Sequence, residues 1–337
     1  MGHDDAGGVN SQLPAFQRAF DQHAPPIVAR TSATASERFL EFFAATIENA
    51  NTRAAYVRAV ADFLAWPSIA ALTSLNDIRP LHVAAYIEDC KGRFSAPTVK
   101  QRLAALRSCF DWMTSTGVMA SNPAHSVRGP AHKQEKGKTP ILTPEEAGRL
   151  LEGIRVQQDD GSPDILGLRD RALIAMMTYS FARVSAAVGM NVEDVVQTAG
   201  RSWIRLKEKG GHVHEMPAHH KLLDYLDAYL DAAGHRSDPK APLFRTGPRG
   251  APQLTMERMS RKDAYAMVRR RATGAGIKAK IGNHSFRGTG VTTFLLNDGS
   301  LEVAQKMAHH ASPRTTKLYD RRDDRLNQAE IERIKLG

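Results

Sequence analysis

Between Arg128 and Pro140 the apolar periodicity of the chain disappears. The segment holds Gly129, Pro130, Gly137 and Pro140, with four Lys/Arg residues against Glu135. Glycine and proline at this density interrupt helices and strands alike, so one continuous core cannot run through it. The chain must build a core on each side, and its 337 residues suffice for two domains of ordinary size. The expected division is a partly disordered extension over 1–35, a helical domain over 36–125, a basic linker over 126–141 and a second domain with a C-terminal tail over 142–337.

The first domain reads as helical throughout. Phe39, Leu40, Phe43 and Ile47 recur at helical spacing, followed by Tyr56, Val60, Phe63 and Leu64. Pro67 stops this second helix. Pro80 opens a third through Val83, Tyr86 and Ile87, and a fourth starts near Pro97 and runs past Leu103, Leu106 and Phe110 to Trp112 or Met113. No strand signal intervenes, so the expectation is a four-helix domain. Arg53 and Arg58 lie on its second helix, and Lys100, Arg102 and Arg107 on its fourth.

Order resumes at Thr143, a good N-cap, with Pro144 in the first helical position and Glu146 completing a capping box. A helix follows over Leu168 to Tyr179. Trp203 to Leu206 and Val213 to Met216, split by Lys209-Gly210-Gly211, read as a β-hairpin. From Leu222 onward the pattern is mainly helical. The fold class is therefore mainly α, with a small β-hairpin in the second domain, and no internal repeat is present.

Charge narrows the partner. There are 46 Lys+Arg against 36 Asp+Glu, a formal net charge of +10. That balance suits a polyanion, although charge speaks to association rather than to function. The two cysteines, Cys90 and Cys109, are too few for a disulfide framework and point to a reducing cytoplasm. No apolar run is long enough for a transmembrane helix, and the polar N-terminus lacks the pattern of a signal peptide. No phosphate-binding P-loop and no acidic cluster of metal-nuclease type occur. His212, His214, His219 and His220 fall close together, but no cysteine and few carboxylates support them. A solvent- or DNA-facing hairpin accounts for them better than zinc does, so neither metal nor cofactor is expected.

The chemistry is concentrated near the C-terminus. Tyr319 stands nine positions after His310, and His284-Ser285-Phe286-Arg287 lies upstream. A phenol is a weak nucleophile at its ordinary pKa, so it needs positive groups around the electrophile. His284 and Arg287, one turn of helix apart, can share a face. Further upstream, Arg169-Asp170-Arg171 leads through an apolar helix to Phe181-Ala182-Arg183-Val184-Ser185.

The order Arg183, Lys209, His284-x-x-Arg287, His310, Tyr319 resembles the tyrosine recombinases of the phage-integrase family, and the similarity runs from about Ser36 to Lys335. The resemblance implies an N-terminal four-helix core-binding domain of SAM-like type and a mostly α catalytic domain of integrase fold. It implies a site-specific DNA recombinase that cuts and rejoins strands through a 3′-phosphotyrosine. Arg183 and Arg287 would hold the scissile phosphate and His310 would hydrogen-bond a non-bridging oxygen. His284 would assist deprotonation of Tyr319, and Lys209, with Lys207 as its near competitor, would protonate the leaving 5′ oxygen. Arg53, Arg58, Lys100, Arg102 and Arg107 would line the DNA. Four subunits would cooperate on two duplex sites, linked by a C-terminal helix bearing Leu326, Ala329, Ile331, Ile334 and Leu336, the alternative being that this helix docks on its own domain. One departure stands out: the family commonly has an acidic residue three positions after the first arginine, where this chain has Ala186. Two alternatives share the pattern, a type IB topoisomerase that relaxes supercoils and a catalytically silent DNA-binding relative.

Overall fold

The structure, a computed structural model, describes residues 24–132, 137, 139–198, 200–208, 211–248, 251 and 253–321. Lys209 and the tail from 322 onward lie outside the described residues. The chain divides into two compact units, 1–133 and 134–337.

The first unit begins earlier than its periodicity suggests. Pro26 occupies the first turn of α1 (Pro26–Thr31), where its missing N–H is not needed. Ile27 and Val28 are buried, and Arg30 donates to the carbonyls of Ala70 and Leu72 at 2.7 and 2.8 Å. Part of the segment read as an extension is thus built into the core. Ser32 caps α2 (Ala33–Ala45), and Asn49 caps α3 (Ala50–Leu64) by accepting from the amides of Asn51 and Thr52. Pro67 follows the end of α3 and also opens a short α4 (Pro67–Ala70). Then come α5 (Pro80–Arg93) and α6 (Ala96–Ser115).

Rings dominate this core. Phe39, Phe42, Phe43, Phe63, Tyr86 and Phe110 meet edge to face at centroid distances from 4.8 to 5.9 Å, the arrangement that adds about 0.5–1.5 kcal/mol per pair beyond burial. The core continues through Ala124 and Val127, into the stretch read as linker.

Three of the arginines assigned to DNA turn inward. Arg102 donates to Asp62 (2.6 Å) and to the Tyr86 hydroxyl (2.8 Å), and lies 4.1 Å over the Phe94 ring. Arg107 donates to the carbonyls of Ala124 and Val127, and Arg53 to that of Ile47. A guanidinium reaches acceptors that a helical wheel does not show: neighbouring helices supply those of Arg102, and irregular backbone those of Arg53 and Arg107. Arg58 and Lys100 are exposed.

In the second unit, Thr143 and Glu146 form the expected capping box at the start of α7 (Pro144–Glu152). α8 (Ile165–Tyr179) is apolar almost all round and therefore central. Around it pack α7, α10 (His220–Ala233), α11 (Arg261–Gly274) and α12 (Asn283–Leu296). Two charged residues of α8, Arg169 and Asp170, are buried with it. Asp170 is fully buried between Arg169 (2.6 Å) and Arg271 (2.9 Å), with Arg270 at 3.5 Å. The hairpin is real and has a third strand that its sequence did not announce. β1 (Val195–Thr198), β2 (Arg201–Lys207) and β3 (Val213–Pro217) form an antiparallel sheet in that order, with Val195 opposite Ile204 and Lys207 opposite Val213. Ile204, Leu206 and Met216 turn their side chains into the core. α9 (Val184–Gly189) precedes the sheet, and α13 (Leu301–Met307) and α14 (Pro313–Lys317) end the described chain.

Candidate active site

Arg183 occupies the N-cap position of α9, with Ser180, Phe181 and Ala182 between it and the end of α8. Phe181, two positions before it, has φ +53°, a left-handed conformation unusual for a bulky residue. His309 shares that feature, with φ +45°, directly before His310. Such backbone persists only where the surroundings impose it, and both instances lie within two positions of a residue singled out by the sequence.

Arg287 sits in the second turn of α12 and is only 2% exposed. Its guanidinium donates to the carbonyls of Phe181 and Ala308, so both special turns are pinned by one side chain. Close approach of α12 to the end of α8 requires Gly290, because a Cβ there would stand 2.1 Å from the Thr178 carbonyl oxygen. Gly288 leaves room for the Tyr319 ring in the same way, at 3.2 Å. Burial, followed by the Arg183 charge, lowers the Arg287 pKa to about 10, so it remains a cation at neutral pH.

His310 is buried, and its Nδ1 lies 2.9 Å from the hydroxyl of fully buried Thr316. Its ring stacks nearly parallel to that of Tyr319, 6.0 Å between centroids. Burial first, then the charges of Arg287 and Arg183, push its pKa down to about 3. His310 is therefore neutral. His284, on the first turn of α12, is also lowered, by burial against the site and then by Arg287 and Arg183. Arg183 thus influences Arg287, His284 and His310, and Tyr319 influences Arg287, which brings five of the six predicted residues into one electrostatic neighbourhood. The sixth, Lys209, lies outside the described residues. Its competitor Lys207 ends β2 with its ammonium 4.0 Å from buried Asp194.

The main chain before and at Tyr319 is gripped twice. Gly137 N–H donates to the Leu318 carbonyl at 2.9 Å, and the Thr292 hydroxyl to the Tyr319 carbonyl at 2.8 Å. Arg183, His309 and His310 line a cavity of about 630 Å³ together with His212 and His214. The His309 ring lies 6.0 Å from His212 and 5.6 Å from His214. Among the described residues, no group of three or more His, Cys, Asp or Glu side chains is placed to hold a metal ion.

Sequence reasoning missed Glu208. Its side chain is 3% exposed and its Oε2 accepts from Arg183 Nη1 at 2.5 Å. Nothing in the local pattern, one residue from a glycine pair, signals a buried acid. Thr292 and Thr316 were also missed, although Thr316 lies within the stretch between His310 and Tyr319.

Known proteins resemble this chain in sequence and fold. The profile of the phage integrase family matches residues 140–325, and that of the phage integrase N-terminal SAM-like domain matches 36–117. The chain belongs to the phage integrase family. This integrase is 27% identical over 281 residues to tyrosine recombinase XerD of Corynebacterium glutamicum, covering 80% of this chain and 87% of that one. It is 31% identical to the XerD of Mycobacterium tuberculosis, over 67% and 70% of the two chains. Its fold is similar to that of lambda integrase solved as a dimer on a COC′ core site, with a TM-score of 0.65, 16% identity and coverage of 95% and 84%. XerH recombinase bound to its difH substrate gives a TM-score of 0.60 at 18% identity, over 84% and 77% of the chains. The integrase is a site-specific tyrosine recombinase, and the topoisomerase alternative falls away with that membership.

Proposed function

We propose that Tyr319 is the nucleophile and that Arg183, Arg287, His310, His284 and Lys209 serve it on double-stranded DNA. The observation that carries this reading is Arg287. A guanidinium fixed by two backbone carbonyls at 2% exposure is already oriented before any phosphate arrives, and preorganised donors are the largest usual source of transition-state stabilisation.

The Tyr319 oxygen attacks the scissile phosphorus. A Tyr–O–P bond forms, the bond from phosphorus to the 5′ oxygen breaks, and the 5′ end leaves as a hydroxyl. The phenolic proton passes to His284, whose lowered pKa keeps it neutral and able to accept. The leaving oxygen takes a proton from Lys209. Lys207 is the weaker candidate because Asp194 already faces it. Arg183 and Arg287 share the charge of the pentacovalent state. The proposed role requires the tautomer of neutral His310 in which Nδ1 accepts from the Thr316 hydroxyl, 2.9 Å away, and Nε2–H donates to a non-bridging oxygen. Attack by a partner strand's 5′ hydroxyl reverses each transfer and rejoins the DNA. Covalent storage of the phosphodiester makes an external energy source unnecessary.

Exposed Arg58 and Lys100 are the better DNA contacts of the first unit, because the donors of Arg53, Arg102 and Arg107 face internal acceptors. Assembly as a homotetramer on two paired sites is supported by a solved relative, a lambda integrase tetramer bound to a Holliday junction. The test is a nicked suicide duplex read on a denaturing gel. Wild type is expected to become covalently attached, and Tyr319→Phe to bind the duplex without attachment. Attachment persisting in Tyr319→Phe would remove the assignment.

A further inference from the structure

We propose that Glu208 is a positioning residue for Arg183: its carboxylate holds one arm of the guanidinium so that the remaining donors meet the scissile phosphate in a fixed pose. The inference rests on the assignment of Arg183 to that phosphate.

Three observations support it. The first is geometry. Glu208 Oε2 stands 2.5 Å from Arg183 Nη1, and no other ion pair is formed by either side chain among the described residues. The second is burial. The Glu208 side chain is 3% exposed whereas that of Arg183 is 32% exposed, so the carboxylate is anchored and the guanidinium still reaches the cavity. A buried carboxylate is expensive unless its partner is well placed, and an isolated structural pair would gain nothing from leaving its cation half open. The third is the turn. Glu208 N–H donates to the His212 carbonyl at 2.8 Å and its own carbonyl accepts from Gly211 at 3.2 Å. The backbone of Glu208 is therefore held at the hairpin turn while its side chain reaches Arg183, 25 positions earlier in sequence.

The physical role has two parts. An arginine fork has five donors in one plane, and fixing one arm sets the orientation of that plane. The carboxylate also offsets the repulsion between Arg183 and Arg287 before DNA arrives, since its charge acts on Arg287 as well. The position three residues beyond Arg183, on the same short helix, offers no carboxylate: Ala186 is 3% exposed in the core. The acid comes from the hairpin turn instead of the helix.

Single-turnover cleavage of the nicked duplex tests this with Glu208→Ala, Glu208→Gln, Arg183→Lys and the corresponding double variants. Glu208→Ala should slow cleavage about 10- to 100-fold, as loss of an orienting partner does, while the dissociation constant for DNA stays within about twofold. Glu208→Gln keeps an acceptor oxygen of the same shape and should recover much of that loss. In the Arg183→Lys background, where the fork is gone, either change at Glu208 should cost little more. Should Glu208→Ala fail to fold, Glu208→Leu, similar in size and without an acceptor, takes its place in the cycle. Cleavage at the wild-type rate in Glu208→Ala or Glu208→Leu, or the same loss with and without the fork, overturns the positioning role and leaves the parent reading intact. Absence of attachment in wild type, or a normal rate in Arg183→Lys, overturns the parent reading and this inference with it.

Discussion

Residues 24–132 fold around rings, with Phe39, Phe42, Phe43, Phe63, Tyr86 and Phe110 at the centre and their charged groups at the margin. Residues beyond 134 fold around charge as well as hydrocarbon. Arg169, Asp170, Asp194, Glu208, Arg245 and Arg287 are all buried there, and no charged side chain of the first unit is buried to that degree among the described residues. A dry core draws its stability from area and shape, and it tolerates substitutions of similar volume. A charged core is stable only while each group keeps its partner. The second unit therefore holds Arg287, the arginine proposed to meet the phosphate, with a rigidity the first does not need, and exposes itself to single changes that the first would survive.

The sharpest way to break this contrast is Asp170→Ala. It leaves Arg169 and Arg271 facing each other without their shared carboxylate. The expected loss is about 3–5 kcal/mol, the usual result of removing one partner from a buried network. Hydrogen exchange should show lost protection in α8 and α11 and none in α3 or α6. Equal loss in both units would mean that they unfold as one.

Acid should separate the units more gently. The folded pKa of His310, about 3, lies below its ordinary 6.5. A histidine depressed in this way contributes stability above 6.5 that is lost as pH falls toward 3, because the unfolded chain gains a proton that the folded one refuses. His235, also buried, is lowered by burial and by Arg245. The second unit should weaken by on the order of 1 kcal/mol between pH 7.5 and 5.5, while the first, which buries no histidine among its described residues, should hold. Exchange protection measured at the two pH values decides it. Unchanged protection of α12 would contradict neutral burial of His310.

The smallest effect concerns the first unit's surface. Arg58→Ala and Lys100→Ala should each lower the slope of log affinity against log salt by about 1 without altering stability. Arg102→Ala should do the reverse, lowering stability and leaving the slope, since its guanidinium is held by Asp62 and Tyr86. A salt slope that responds to Arg102 alone would invert the assignment.

What could be read from the sequence follows from the range of each signal. The Thr143–Glu146 box and the hairpin around residue 209 are local, and local chemistry writes them. The motif residues were recognisable by their order along the chain. The inward turn of Arg102 depends on Asp62, forty positions away, and no helical periodicity reports it. α1 was hidden because a proline pair and a short helix look like loop until Ile27 and Val28 find a core. β1 has four residues and is a strand only because β2 lies beside it. Glu208 combines both difficulties, a charged residue near a turn whose partner lies on another element.

The two grips on the Leu318 and Tyr319 carbonyls come from Gly137 and Thr292 of the same chain. In genetic terms this makes each protomer its own complementation unit. One allele lacking Tyr319 and another lacking Arg183 are expected not to restore a cleaving site when their products are mixed, because neither protomer can lend the missing part. Inactive copies would then lower cleavage of a single site in proportion to their number. Mixing Tyr319→Phe with Arg183→Ala protein on the nicked duplex examines this directly, and a covalent adduct in the mixture would show that the tyrosine is passed between protomers.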